Sequence, residues 1–141
     1  PPAALAAALG ADKAAAARAA RGRVGQALHW IEHPEEFAEY EEHRKRFFEI
    51  IGQPFYRKSK LAESITQSAE GADLRERVTH ILSIWQLALY DILKNKVTEP
   101  APARLSTKQL VQAEKSINEA KQRVRRYVQP RLLLESILLT I

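Results

Sequence analysis

Ser106-Thr-Lys-Gln-Leu-Val-Gln-Ala-Glu-Lys-Ser-Ile-Asn-Glu-Ala-Lys-Gln-Arg-Val-Arg-Arg-Tyr127 is the stretch that decides the fold. It opens on a capping box, in which the Ser106 hydroxyl and the Gln109 amide each satisfy a backbone donor of the other. Leu110, Ala113, Ile117, Ala120, Val124 and Tyr127 then recur at intervals of 3, 4, 3, 4 and 3. That spacing keeps one apolar stripe on one side of a helix and predicts a seam packed on a second helix.

The second helix stands just upstream. Leu74, Val78, Ile81, Leu82, Trp85, Leu89, Ile92 and Leu93 also step by three and four, and Asp73 is placed to cap them. Between the two, Thr98 to Leu105 holds two prolines and no periodicity, which predicts a loop. Downstream, Pro130 sits where a missing N–H costs a helix nothing. The helix it opens carries Leu132, Leu133, Leu134, Ile137, Leu138, Leu139 and Ile141, apolar on nearly every side. Such a helix has to be covered all round, by its own bundle or by another subunit.

Towards the N-terminus the pattern stays helical. Residues 3–9 and 13–20 are Ala-rich, and Val24 to Glu32 predicts a short helix with Val24, Ala27, Leu28 and Ile31 on one face. Pro34 starts another, whose apolar residues Phe37, Tyr40, Phe47, Phe48 and Ile51 run to Gly52. A polar helix from about Arg57 to Glu70 follows, with Leu61, Ala62 and Ile65 as its narrow stripe and Gly71 closing it. No alternating β-branched run appears, so the expected class is all-α.

The 141 residues include 45% hydrophobic and 28% charged side chains, a balance that excludes wholesale disorder. There is no cysteine, so neither a disulfide nor a Cys-ligated zinc holds the chain together. No apolar run reaches the ~18 residues of a membrane span, and no signal peptide is expected. Methionine is absent even from position 1, and we expect a piece of a longer chain. The net charge of +5 falls entirely in residues 72–141, which invites a nucleic-acid or acidic-partner reading of that half. Its densest part is Lys121, Arg123, Arg125 and Arg126, with Arg131 beyond the break. No aromatic residues interleave with these cations as a single-strand stacking surface requires.

Catalytic signals are missing. The chain has no Gly-rich phosphate loop and no cysteine nucleophile, and Ser83 near His80 lacks an oxyanion-forming elbow. His29 and His33 stand four apart, a spacing able to hold one metal, but His33 precedes Pro34 and reads as a helix end. A solvent-facing pair is the expectation. The carboxylates of Glu41 and Glu42 precede Lys45 and Arg46 at helical spacing and predict a self-supporting charged face. No catalytic, cofactor or metal site is expected.

Three short motifs carry a family resemblance. Gly22-Arg-Val-Gly25-Gln-Ala27-Leu28 resembles the Gly-x-x-Arg-x-Ala-Leu end of the helical lid in clamp-loader AAA+ ATPases, with Gly25 at the sensor-arginine position. Trp85-Gln-Leu-Ala-Leu-Tyr-Asp91-Ile-Leu93 resembles the family's Trp-x-x-x-x-x-Asp-x-Leu helix. Tyr127-Val-Gln-Pro-Arg-Leu-Leu-Leu-Glu135-Ser-Ile-Leu-Leu139 is similar to the signature that closes these subunits, with Tyr127 and Gln129 in place of two asparagines. Gly25 makes the resemblance nearest to the delta-prime branch of bacterial DNA polymerase III, which does not hydrolyse ATP. The gamma/tau ATPase branch is the alternative.

The resemblance implies a helical bundle, the collar domain, over residues 34–141, preceded by the last helices of an AAA+ lid over 1–33. It implies a cytoplasmic subunit of the polymerase III holoenzyme, acting in DNA replication with no catalysis in this stretch. Its partners would be the other loader subunits, delta and gamma/tau, with the sliding clamp and primed DNA met through the full assembly, and no membrane. The collar ring of five subunits would be joined through a surface expected to include Lys121, Arg125, Arg131, Leu134, Glu135 and Leu138. On that expectation Leu138→Asp would block co-purification with the partners. Direct DNA binding by the basic cluster, as a helical nucleic-acid-binding module, is the reading from a different class.

Overall fold

The computed structural model describes residues 16, 19–20, 23–67, 69–93, 105–126 and 129–141. Among them there are six α-helices and no strand. They are α1 (Val24–Glu32), α2 (Pro34–Ile50), α3 (Phe55–Thr66), α4 (Gly71–Leu93), α5 (Thr107–Arg123) and α6 (Pro130–Leu139), with a 3-10 turn at Val124–Arg126. The Ala-rich segments, apart from a few residues, and the Thr98–Arg104 part of the expected loop lie outside the described residues. The chain clusters into two units, Pro1–Glu42 and His43–Ile141.

In the first unit, α1 has the expected bounds but a different inner face. Ala27 and Trp30 are buried, whereas Val24 and Leu28 are exposed. Aromatic packing explains the rotation: the Trp30 ring lies 5.1 Å from Phe37 and 4.7 Å from Tyr40, a large area to remove from water. The His33 N–H donates to His29 O at 2.9 Å to close α1, and Pro34 then opens α2.

The second unit is built around α4. Val78, Ile81, Leu82, Ile84, Trp85, Ala88 and Leu89 are all buried. Trp85 stacks on Phe47 of α2 with ring centroids 5.2 Å apart. Helix α5 packs along α4 through the predicted seam, and Leu110, Ala113, Ile117, Ala120 and Val124 are buried. Each large member of that seam stabilises the fold by roughly 1.5–3 kcal/mol. Both halves of the capping box form, Gln109 N–H to Ser106 Oγ at 3.1 Å and Ser106 N–H to Gln109 Oε1 at 3.0 Å.

Helix α3 is shorter than its polar pattern predicts and packs chiefly on α6. Its inner residues are Lys58, Ala62 and Ile65, with Leu61 half-buried. The chain enters α4 at Gly71, whose φ of +60° is a conformation that side chains other than glycine's resist. Asp73 therefore lies in the first turn of α4, facing the positive end of the helix dipole, instead of capping it. Gly52, at φ +78°, makes the turn after α2, and its N–H donates to Ile141 O at 3.0 Å.

Candidate functional site

Helix α6 carries the closing motif, and its burial is uneven. Leu133, Leu134, Ile137, Leu138 and Ile141 point inward, while Leu132 and Leu139 are 53% and 61% exposed. The residue pair is seven apart, two helical turns, so the open leucines share one outer stripe. Of the two covers expected for this helix, its own bundle supplies most, and the Leu132–Leu139 stripe is left uncovered. The burial corrects two members of the expected contact surface, because Leu134 and Leu138 are 0% exposed. They face α3, α4 and α5 across the core, and the single chain has no surface there to offer.

Arg131 and Glu135 do reach the surface, as parts of a network that joins α6 to α3. Arg131 Nε donates to Glu135 Oε1 at 3.1 Å, one helical turn away. Its Nη2 donates to Ser59 Oγ at 3.3 Å and lies 3.7 Å from Glu63 Oε2. Ser59 Oγ in turn donates to Glu135 Oε1 at 2.9 Å. Two carboxylates share one guanidinium, so the cluster carries one net negative charge, whereas the sequence pattern marked this position as cationic. Ser59 and Glu63 escaped the sequence reading because they lie over 60 residues away on a helix whose outer face reads as solvated.

Lys121 is half-buried against α4, where its Nζ donates to Gln86 Oε1 at 2.8 Å. Gln86 Nε2 donates onward to Asn118 Oδ1 at 2.7 Å. Burial lowers the Lys121 pKa from its usual 10.5. Lys121 thus secures the α4–α5 seam from its margin, and of the expected cations on this stretch Arg125 remains fully at the surface, with Arg123 and Arg126.

The Asp91 of the second motif is buried. Arg44 Nη2 of α2 donates to its Oδ2 at 3.3 Å, and the same guanidinium lies 5.0 Å from the Phe48 ring centroid. The role of Asp91 is therefore to hold α2 to α4. Gly25 lies exposed on α1, and a side chain added there would meet nothing within 4 Å. Packing does not explain that glycine.

The remaining chemical candidates are occupied with local structure. Ser83 Oγ donates to Thr79 O at 3.1 Å, an intrahelical bond. The His29 and His33 rings lie 4.6 Å apart, His29 bonds Glu36, and His33 Nδ1 is 3.6 Å from Glu35. Among the described residues no group of three His, Cys, Asp or Glu side chains is placed to hold a metal ion. Lys45 pairs with Glu49 at 3.9 Å on the charged face of α2. Among the described residues no helix is long and apolar enough to cross a membrane.

No family model, no curated protein and no solved structure matches this chain.

Proposed function

We propose that the chain is an oligomerisation module, the collar region of a delta-prime-type clamp-loader subunit, preceded by the end of an AAA+ lid. It would hold the loader ring together beside delta and gamma/tau subunits, so that the assembly opens a sliding clamp on primed DNA. The observation that carries the reading is the outer stripe of α6. Leu132 and Leu139 stay exposed on the helix that bears the closing motif, beside the Arg131–Glu135 network. Exposed apolar side chains rimmed by polar ones suit a protein–protein contact. Gly25 supports the delta-prime assignment over gamma/tau, because a free surface position holds glycine where the ATP-hydrolysing branch carries its arginine.

The geometry changes which variant tests this. Leu138→Asp would put a carboxylate into the core and unfold the chain, so loss of assembly would follow from unfolding alone. The informative variant is Leu132→Asp with Leu139→Asp, both on the outside. Co-expressed with delta and gamma/tau subunits, it is expected to keep its helical circular dichroism and melting temperature while failing to co-elute with them. Normal co-elution of the folded variant would refute the reading.

A further inference from the structure

An open groove of about 640 Å³ lies between the last turns of α2 and the outer side of α3, and no residue of the α6 stripe lines it. Arg46, Glu49 and Ile50 form one wall, Arg57, Lys60 and Leu61 the other, and Gln53 stands at the turn between them. Residues along each wall are three and four apart, so each wall is one face of a helix. The floor is apolar, because Ile50 is buried and Leu61 half-buried, while the four charged residues stand exposed around it. Glu49 has Lys45 at 3.9 Å, and Arg46 is already engaged within the chain. The charge left to meet a partner is that of Arg57 and Lys60. Arg57 Nε donates to the Tyr56 hydroxyl at 3.3 Å, a neutral group that steadies the guanidinium without cancelling its charge. Lys60 has no counter-ion among the described residues.

We infer that this groove docks an acidic peptide segment, with an aliphatic side chain seated on Ile50 and Leu61 and flanking carboxylates meeting Arg57 and Lys60. A small apolar floor with a few charged groups at its margin is how a protein fixes both the depth and the direction of a bound segment. A guanidinium offers a carboxylate two parallel N–H donors, and the Lys60 ammonium serves as a mobile point charge beside it. The Gln53 amide adds a donor and an acceptor suited to a peptide backbone. A polyphosphate would use the margin and leave Ile50 and Leu61 unmatched. A wholly apolar segment would leave the cations unmatched. The acidic segment with an aliphatic anchor matches both. The inference goes beyond the collar reading and does not depend on it, since no loader subunit enters the test.

The test is fluorescence anisotropy of a fluorescein-labelled peptide, two leucines one turn apart within a run of glutamates, titrated with the 141-residue chain. Arg57→Glu with Lys60→Glu should weaken binding at least about tenfold, since like charges then face each other across the contact. Serines in place of the peptide's leucines should weaken it by about tenfold as well, with the protein untouched. Leu132→Asp with Leu139→Asp, the variant that tests the collar, should leave peptide binding unchanged, so the two readings fail separately. All the substituted positions are exposed, and thermal melting checks that the fold survives. Absence of binding by the unmodified chain would overturn the inference. So would full affinity in the charge-reversal variant, equal binding of the serine peptide, or loss of binding in the Leu132/Leu139 variant. Displacement of the peptide by oligo-dT as readily as by its own unlabelled copy would overturn it too.

Discussion

Replacing Asp91 by alanine should cost this protein more than any surface charge change, because it removes a carboxylate that the largely buried guanidinium of Arg44 donates to. The two side chains are 17% and 9% exposed with N···O at 3.3 Å. At that distance the attraction is about 5 kcal/mol for an effective dielectric of 20, most of it offset by the cost of desolvating both ions. Removing one partner from a fully buried pair typically costs 3–5 kcal/mol. The partial exposure of Arg44 allows some rehydration, so we expect about 2–3 kcal/mol for Asp91→Ala and about 1–2 kcal/mol for Asp91→Asn, which keeps the shape. The double change Arg44→Met with Asp91→Leu should be close to neutral, because neither charge then remains to be desolvated. Urea unfolding followed by far-ultraviolet circular dichroism would report the midpoint, expected to fall by about 1 M or more for Asp91→Ala. A cost below about 0.5 kcal/mol for Asp91→Ala, or a double variant no better than the sum of the singles, would refute a desolvated pair.

Other expectations concern single elements. Ser106→Ala should cost about 1 kcal/mol in urea unfolding, with the Gln109 N–H losing its acceptor. Leu134→Ala should cost about 3 kcal/mol, since its site has no route to solvent, whereas Leu139→Ala should change stability by less than about 0.5 kcal/mol. Lys58 is 93% removed from solvent by the complement of its 7% exposure, and burial lowers its pKa from 10.5. The unfolded chain then binds more protons than the folded one between the lowered pKa and 10.5, so stability rises with pH across that window. Lys58→Met should accordingly match or exceed the parent at neutral pH, and its advantage should shrink as pH approaches 10.5, measured by melting temperature. Lys58→Ala should instead lose about 2 kcal/mol of methylene packing.

Much of this architecture could be read in one dimension. The seam Leu110 to Val124 and its capping box depend on residues within a turn or two of each other, and both form as the spacing predicts. Where tertiary packing competes with local pattern, the pattern yields. Trp30 turns α1 away from its Val24–Leu28 stripe, and α3 ends at Thr66, short of the Glu70 its polar pattern predicts. The surface chemistry was least legible. Arg131 reads as part of a basic run, and only its approach to Ser59 and Glu63 reverses the local charge.

The bond from Arg131 to Ser59 spans 72 positions of the chain and ties the ends of an excursion that contains α4 and α5. Closing so wide a circuit carries an entropic toll that the short-range α4–α5 hairpin does not face, so the hairpin is the natural seed and α6 the final bolt. Severing the backbone between α4 and α5 would then leave two pieces still latched at their far ends, able to be mixed from separate tubes and regain the native form.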